Sequence, residues 1–437
     1  MLAVVLIQLI VILIAARLSG WLFRQLRQPV VVGEIIGGLL LGPSCFQPLV
    51  PELWASIFRP EVQPTFTVIK ELGLMLLLFI VGMEFDFSHL RKLGRAAGMI
   101  SVVGIVLPFG MGASLAPLIH DRLALPTPIW GLALYLGTAL SITALPVLGR
   151  IMMELGITKT RLGTVTISAA AVDDATAWIL LASIVGAVQS KFDPMKTLMM
   201  IGLTLGFVGV MLLIVRPILS RLLDAYFARH RNHLDALGLS VLLVLLLGCG
   251  LITLQIGIFA EFGAFMLGAC LSGHSRLHHA LGDSFRNFVG AFFLPIFFTY
   301  TGLHTDVGSL GSVEQWFIAL LLIVVAIVGK FIGCGLVARW NGFSWREAGC
   351  IGAMMNTRAL MALIVINVGL EQGILDKTLF TMLVLMALVT TLMTTPLLYL
   401  LYRGTELEQP IEQSGFYVST TLKRKAGDGV ESESTIC

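Results

Sequence analysis

Two acidic residues stand side by side inside a run that is otherwise small and apolar, Thr166-Ile167-Ser168-Ala169-Ala170-Ala171-Val172-Asp173-Asp174-Ala175-Thr176-Ala177-Trp178. Neighbours on a helix point about 100° apart, so the two carboxyls cannot both face one small site. One can bind while the other pairs with a fixed cation. Burial and a nearby like charge favour a protonated carboxyl, whereas a close Lys or Arg favours the ionised form. An aspartate poised between those influences accepts either a proton or a metal cation, but not both at once. That exclusivity is the chemistry of exchange.

Two cations are available to answer the aspartates. Lys330 and Arg358 each lie well inside an apolar stretch, where a basic residue costs about 2.5–3.5 kcal/mol on insertion scales. Something must compensate them. Lys330 reads as the partner of an aspartate, or as a stem packed on its neighbours. A bland alternative makes Asp173, Asp174, Lys330 and Arg358 internal ion pairs with no transport role. Intramembrane ionisable groups favour the functional reading.

The elements that hold these residues are set by composition. The chain has 437 residues, 57% of them hydrophobic and only 13% charged, against about 25% charged in soluble proteins. A mean hydropathy of +0.92 excludes a disordered chain, a secreted disulfide scaffold and a cytosolic enzyme, and leaves an all-α polytopic membrane protein. A net charge of +3, with the basic residues scattered in short clusters, gives no nucleic-acid signal. The cysteines fall mostly inside apolar runs without metal-ligand spacing, so neither a disulfide framework nor a metal cofactor is expected. The first segment has no basic leader and no small-residue cleavage site, and reads as a retained span rather than a signal peptide.

With about twenty apolar residues needed per crossing, the sequence divides into about thirteen spans: 2–23, 30–46, 66–86, 96–118, 128–150, 162–189, 197–219, 236–253, 257–273, 285–303, 315–338, 345–369 and 377–402. Residues 403–437 form a short polar tail, expected to be disordered. Of 29 Lys and Arg residues, most fall in the tail or in loops after odd-numbered spans. Because Lys and Arg favour cytoplasmic loops, this places the N-terminus outside and the tail inside. Arg17 and Lys70 lie towards span ends and are expected to snorkel to the headgroups.

Two spans read as broken. The fifth contains Ser141-Ile142-Thr143-Ala144-Leu145-Pro146, where a proline with hydroxyl neighbours frees backbone carbonyls. The twelfth contains Met355-Asn356-Thr357-Arg358, again polar at depth. Spans five and twelve are seven apart and so cross in opposite directions, as do four and eleven, and six and thirteen. That is the inverted-repeat arrangement in which discontinuous helices meet at mid-depth and form a substrate site.

Other polar residues invite plainer readings. Glu34, Glu71, Glu84, Asp86 and Glu261 are assigned interfacial or helix-pairing roles, with a proton path as the alternative. His304 reads as a solvated loop histidine. The glycines of Val32-Gly33-Glu34-Ile35-Ile36-Gly37-Gly38 allow close helix contact and do not form a phosphate loop, since no strand precedes them and no Lys-Ser/Thr follows. An intramembrane aspartyl protease would need its carboxyls on different helices, and no Gly-x-Gly-Asp occurs. A cation channel, a transport-inactive sensor and a symporter remain rivals on the same scaffold, separable by whether proton flux opposes the cation.

Several separated blocks resemble one family. Residues Gln28-Pro29-Val30-Val31-Val32-Gly33-Glu34-Ile35-Ile36-Gly37-Gly38-Leu39-Leu40-Leu41-Gly42-Pro43-Ser44 are similar to the opening signature of the monovalent cation:proton antiporter-2 family, which includes plant cation/proton exchangers and bacterial sodium or potassium/proton antiporters. Leu140 to Leu148, Asp173-Asp174, Gly329-Lys330-Phe331-Ile332-Gly333 and Asn356-Thr357-Arg358-Ala359-Leu360 resemble further blocks, in the family's order.

The resemblance implies a homodimer in a bacterial inner membrane, with a moving core and a fixed dimerisation domain. It implies that Asp174 is the main ligand of the transported cation and of the proton, that Asp173 pairs with Lys330, and that spans five and twelve are the crossing helices. Ser141, Thr143, Pro146, Asn356 and Thr357 lie in those crossings, and Arg358 is a second charge partner. A paired aspartate with Lys looks like the electrogenic subgroup, and the likeness to plant exchangers favours potassium over sodium. The short tail lacks the Gly-rich nucleotide-binding domain of potassium-efflux relatives, which makes regulation of that kind doubtful.

Overall fold

A computed structural model describes residues 2–84, 94–123, 125, 127–189, 194–229, 234–272 and 274–414. Among them every regular element is a helix. In chain order these are α1 (Leu2–Gln25), α2 (Val30–Leu41), α3 (Gln63–Glu84), α4 (Arg95–Leu123), α5a (Ile129–Ser141), α5b (Leu145–Glu154), α6 (Arg161–Gln189) and α7 (Pro194–Val210 continued by Arg216–Arg229). There follow α8 (Ala236–Ile256), α9 (Ala260–Leu271), α10 (Ser275–Phe288 continued by Leu294–Leu303), α11 (Val313–Ile327 continued by Gly333–Trp340), α12a (Trp345–Met355), α12b (Ala359–Glu371) and α13 (Lys377–Leu392 continued by Thr394–Leu401).

Nine helices among the described residues are long and apolar enough to cross a membrane. Nine of the expected spans overlap these, the fifth, ninth and twelfth overlap shorter apolar helices and the sixth lies on α6; both spans read as broken are interrupted, at 142–144 and at 356–358. Helix α2 ends at Leu41, because Gly42-Pro43 disfavours helical backbone before the proline, while the candidate crossing that contains it, Val30–Leu49, takes in residue 46. Asp86 and residues 415–437 lie outside the described residues. The first part of the expected disordered tail, residues 403–414, is ordered and includes the helix Glu408–Ser414.

Local chemistry explains where many helices begin. Ser312 and Gln315 form a capping box at the start of α11, and Ser344 and Glu347 form another at α12a. Asp235 and Asp376 accept from the first-turn amides of α8 and α13. Gly257, at φ 98°, ends α8 in left-handed backbone that a side chain would disfavour. Wider π-helical turns interrupt α7, α10 and α11, and the last of these, Val328–Ile332, carries Lys330. Such turns expose backbone groups and commonly accompany functional positions.

The helices gather in two groups: α1, α2, α3, α8, α9 and α10 contact one another, and α4, α5, α6, α11, α12 and α13 do likewise. Close backbone contacts recur within the groups in a repeated pattern. Gly33 of α2 lies against the Ser19 carbonyl and Gly20 of α1, and Gly263 of α9 lies against the equivalent pair on α8, the Cys249 carbonyl and Gly250. Gly38 and Gly302 join α2 to α10 as Gly268 and Gly82 join α9 to α3. In the second group, Gly137 sits under the carbonyl and ring of Phe109, and Gly352 under those of Phe331. The contact of α1 with α2 is thus matched by that of α8 with α9, that of α2 with α10 by that of α9 with α3, and that of α4 with α5a by that of α11 with α12a.

Candidate ion-binding site

The interruptions of α5 and α12 touch. Ile142 and Ala144 are extended, and the Ala144 amide donates to the Thr357 carbonyl at 2.9 Å. Pro146 does not break the helix; it lies in the first turn of α5b, where its missing N–H would have had no helical acceptor. Two helix C-termini, of α5a and α12a, and two N-termini, of α5b and α12b, thus converge in the protein interior. Their partial charges need partners.

The partners come from α6, α11 and α12. Asp173 of α6 is buried and forms an ion pair with Lys330, itself fully buried. Ser101 of α4 donates to Asp173 Oδ1 at 2.6 Å. Lys330 Nζ donates to Thr143 Oγ1 at 2.6 Å. The single hydroxyl proton of Thr143 has two acceptors at 3.0 Å, Asp173 Oδ2 and the Met355 carbonyl. One threonine in the first interruption therefore links the ion pair to the end of α12a.

Arg358, also fully buried, answers the opposite helix end. Its guanidinium donates to the carbonyls of Ala139 (3.3 Å) and Leu140 in the last turn of α5a, and to Ala326 of α11 (2.9 Å). A cation at a helix C-terminus offsets the negative end of its dipole. Asn356 is buried and neither of its amide atoms has a partner among the described residues. Thr357 turns to α13, its Oγ1 3.0 Å from that of Thr394, and Ser141 bonds back to the Thr138 carbonyl at 2.9 Å. The backbone of Asp174 belongs to α6; its side chain lies outside the described residues.

Ser101 is not singled out by the sequence. Its only signal there is a hydroxyl at mid-span, in Met99-Ile100-Ser101-Val102. Two plainer readings need correction, those of Lys70 and His304. Lys70 is buried and paired with Glu371 rather than reaching the headgroups. Arg17 lies 3.8 Å from Glu34 and donates to the carbonyls of Gly290 and Ala291. His304 is half-buried beside Tyr300, their rings 4.2 Å apart, instead of being solvated. Among the described residues no cluster of three or more His, Cys, Asp or Glu could hold a metal ion.

A helical membrane bundle in which two broken helices cross beside buried charges of both signs is the architecture of ion-coupled secondary transporters. Comparison with known proteins narrows the class. The family model described as "Sodium/hydrogen exchanger, transmembrane" matches residues 10–400, and the chain belongs to that family. It is 38% identical over 408 residues to Na(+)/H(+) antiporter NhaS4 of Synechocystis, covering 92% of this chain and 98% of that one. It is 35% identical to Cation/H(+) antiporter 17 of Arabidopsis thaliana and 30% identical to K(+)/H(+) antiporter 1 of Saccharomyces cerevisiae, covering 92% and 98% of this chain but 49% of each relative. The solved sodium proton antiporter MjNhaP1 of Methanocaldococcus jannaschii shares the fold, with a TM-score of 0.63 at 15% identity, over 89% of this chain and 94% of that one.

Proposed function

We propose that the protein exchanges a monovalent cation, potassium or sodium, for protons by alternating access, with Asp174 as the ligand that cation and proton share. The observation that carries this reading is the Asp173–Lys330 ion pair, buried with Thr143 at the crossing of the two interrupted helices. That pair neutralises one aspartate internally and leaves its neighbour as the site of competition. Asn356, buried with both amide atoms unpartnered among the described residues, supplies a carbonyl oxygen of the kind that replaces an alkali cation's hydration shell. Relatives named as sodium/proton and potassium/proton antiporters support both cations.

The core group, α4 to α6 and α11 to α13, carries the site across when the Asp174 carboxylate is neutralised by a cation or a proton. A bare charge bears the full cost of the hydrocarbon, which suppresses leakage. The remaining parts of the reading are thirteen crossings, an external N-terminus, a cytoplasmic tail, a bacterial inner membrane, and a homodimer built on the other helix group. Exchange of more than one proton per cation moves net charge and couples the cycle to voltage by about 2.3 kcal/mol per charge per 100 mV.

The test is cation-driven dequenching of a pH-sensitive dye in vesicles, with sodium, potassium and lithium in turn and the potential clamped or free. Asp174→Asn is expected to abolish dequenching. Unimpaired exchange by that variant overturns the reading, and steady conductance without proton countermovement replaces it with a channel.

A further inference from the structure

The chain beyond α13 folds back against the ends of the helices that build the site. Tyr402, Leu407 and Ile411 are buried. A turn at Gly404, whose φ is 74°, is closed by its amide on Glu408 Oε2 at 2.8 Å. From this anchored segment three contacts reach three different elements. The Arg403 carbonyl accepts from Arg346 in the first turn of α12a at 2.8 Å. The Pro410 carbonyl faces Gly156, just beyond the end of α5b. The Glu406 carboxylate accepts the Leu162 amide in the first turn of α6.

These are the two broken helices and the helix that bears Asp173 and Asp174. The first amides of a helix have no acceptor within it, and a carboxylate placed there both satisfies a donor and complements the positive end of the dipole. Leu162 is fully buried, so the amide that Glu406 takes stands at a fixed point of the core. From sequence the segment reads only as polar tail.

We infer that Glu406 is a positioning residue for cation binding: residues 402–414 form a strap across the cytoplasmic ends of α5b, α6 and α12a, and Glu406 fixes the axial position of the aspartate helix against the crossing. This rests on the exchange reading above and adds a residue to it. Freed of Glu406, the first turn of α6 frays and the aspartates lose register with Thr143 and Lys330. The cost falls on cation binding rather than on the amount of folded transporter.

The test is exchange in vesicles, normalised to protein incorporated, with apparent KM and maximal rate measured separately for Glu406→Gln, Glu406→Ala and Glu406→Lys. Gln keeps an acceptor oxygen and is expected to stay within twofold of the parent KM. Ala is expected to raise KM about three- to tenfold, and Lys, which sets a cation against the positive helix end, to raise it further. A lower maximal rate at constant KM in all three variants marks a merely structural strap and overturns the inference alone. Absence of exchange by the parent protein, or full exchange by Asp174→Asn, overturns the functional reading and this inference with it.

Discussion

Thr143 Oγ1 lies 2.6 Å from Lys330 Nζ and 3.0 Å from Asp173 Oδ2, so a residue of the first broken helix bridges the ion pair between α6 and α11. The hydroxyl is the one group in the described site that touches both charges and the end of α12a. Thr143→Val keeps the shape and removes the bridge, leaving a buried ammonium short of an acceptor at a cost of about 1–3 kcal/mol. The expected outcome is a lower melting temperature in detergent and a loss of exchange, with Thr143→Ser retaining most of both. A Val variant as stable and active as the parent would show that the bridge is idle.

The ion pair itself is expected to behave as a unit. Lys330 and Asp173 are both fully buried at their side chains, and removing one partner of such a pair leaves an uncompensated charge at about 3–5 kcal/mol. Lys330→Ala and Asp173→Ala should each lower the melting temperature strongly, and the double variant should be no worse than the poorer single. Additive losses across the cycle would mean that the two charges do not stabilise one another.

Arg358 makes a third test, because it reaches three backbone carbonyls with one planar group. Lysine carries the same charge but cannot fork across Ala139, Leu140 and Ala326. Arg358→Lys is expected to lower stability by about 1–3 kcal/mol and to slow exchange while leaving cation selectivity intact. Parity between Lys and Arg in a thermal shift assay would assign the residue a charge role alone.

Much of this site is legible in the sequence because its signals are local. Ser141-Ile142-Thr143-Ala144-Leu145-Pro146 and Met355-Asn356-Thr357-Arg358 announce interruption by putting polar groups and proline where a span should be apolar. The break itself falls at 142–144, ahead of the proline, because the two interruptions bond to each other. The pairing of Asp173 with Lys330 rests on family likeness, since nothing in the spacing of residues 157 apart brings them together. Ser101, the Glu406 strap and the partners of Lys70 and Arg17 are illegible for the same physical reason. A lone basic residue near a span end has two low-cost outcomes, snorkelling and pairing, and only the packing of distant helices chooses between them.

The repeated glycine contacts predict matched effects in the two halves. Gly38 meets the Thr299 carbonyl and Gly268 the Phe79 carbonyl so closely that a Cβ cannot fit without backbone movement. Gly38→Ala and Gly268→Ala should each cost about 1–3 kcal/mol, the range for overpacking, and should do so to a similar extent. Thermal melts of the purified variants check this, and a large effect in one half with none in the other would break the structural equivalence.

Lys70 on α3 and Glu371 at the end of α12b join the two helix groups through an ion pair beside a cavity of about 390 Å³ lined by Thr67, Tyr300, His304 and Asn367. Asn367 adds a second link, donating to Thr301 of α10 at 3.1 Å. If one group moves against the other during exchange, this pair must part in every cycle. Glu371 is 40% exposed while Lys70 is buried, so water reaches one partner of the pair. Reversing either charge alone sets like charges together, and Lys70→Glu or Glu371→Lys is expected to slow exchange about fivefold. The double reversal restores the attraction and should return the rate to within twofold of the parent. Rates measured in vesicles for the four proteins form a complete cycle. A double variant no faster than the slower single would show that the two side chains act independently and that the groups are not held together here.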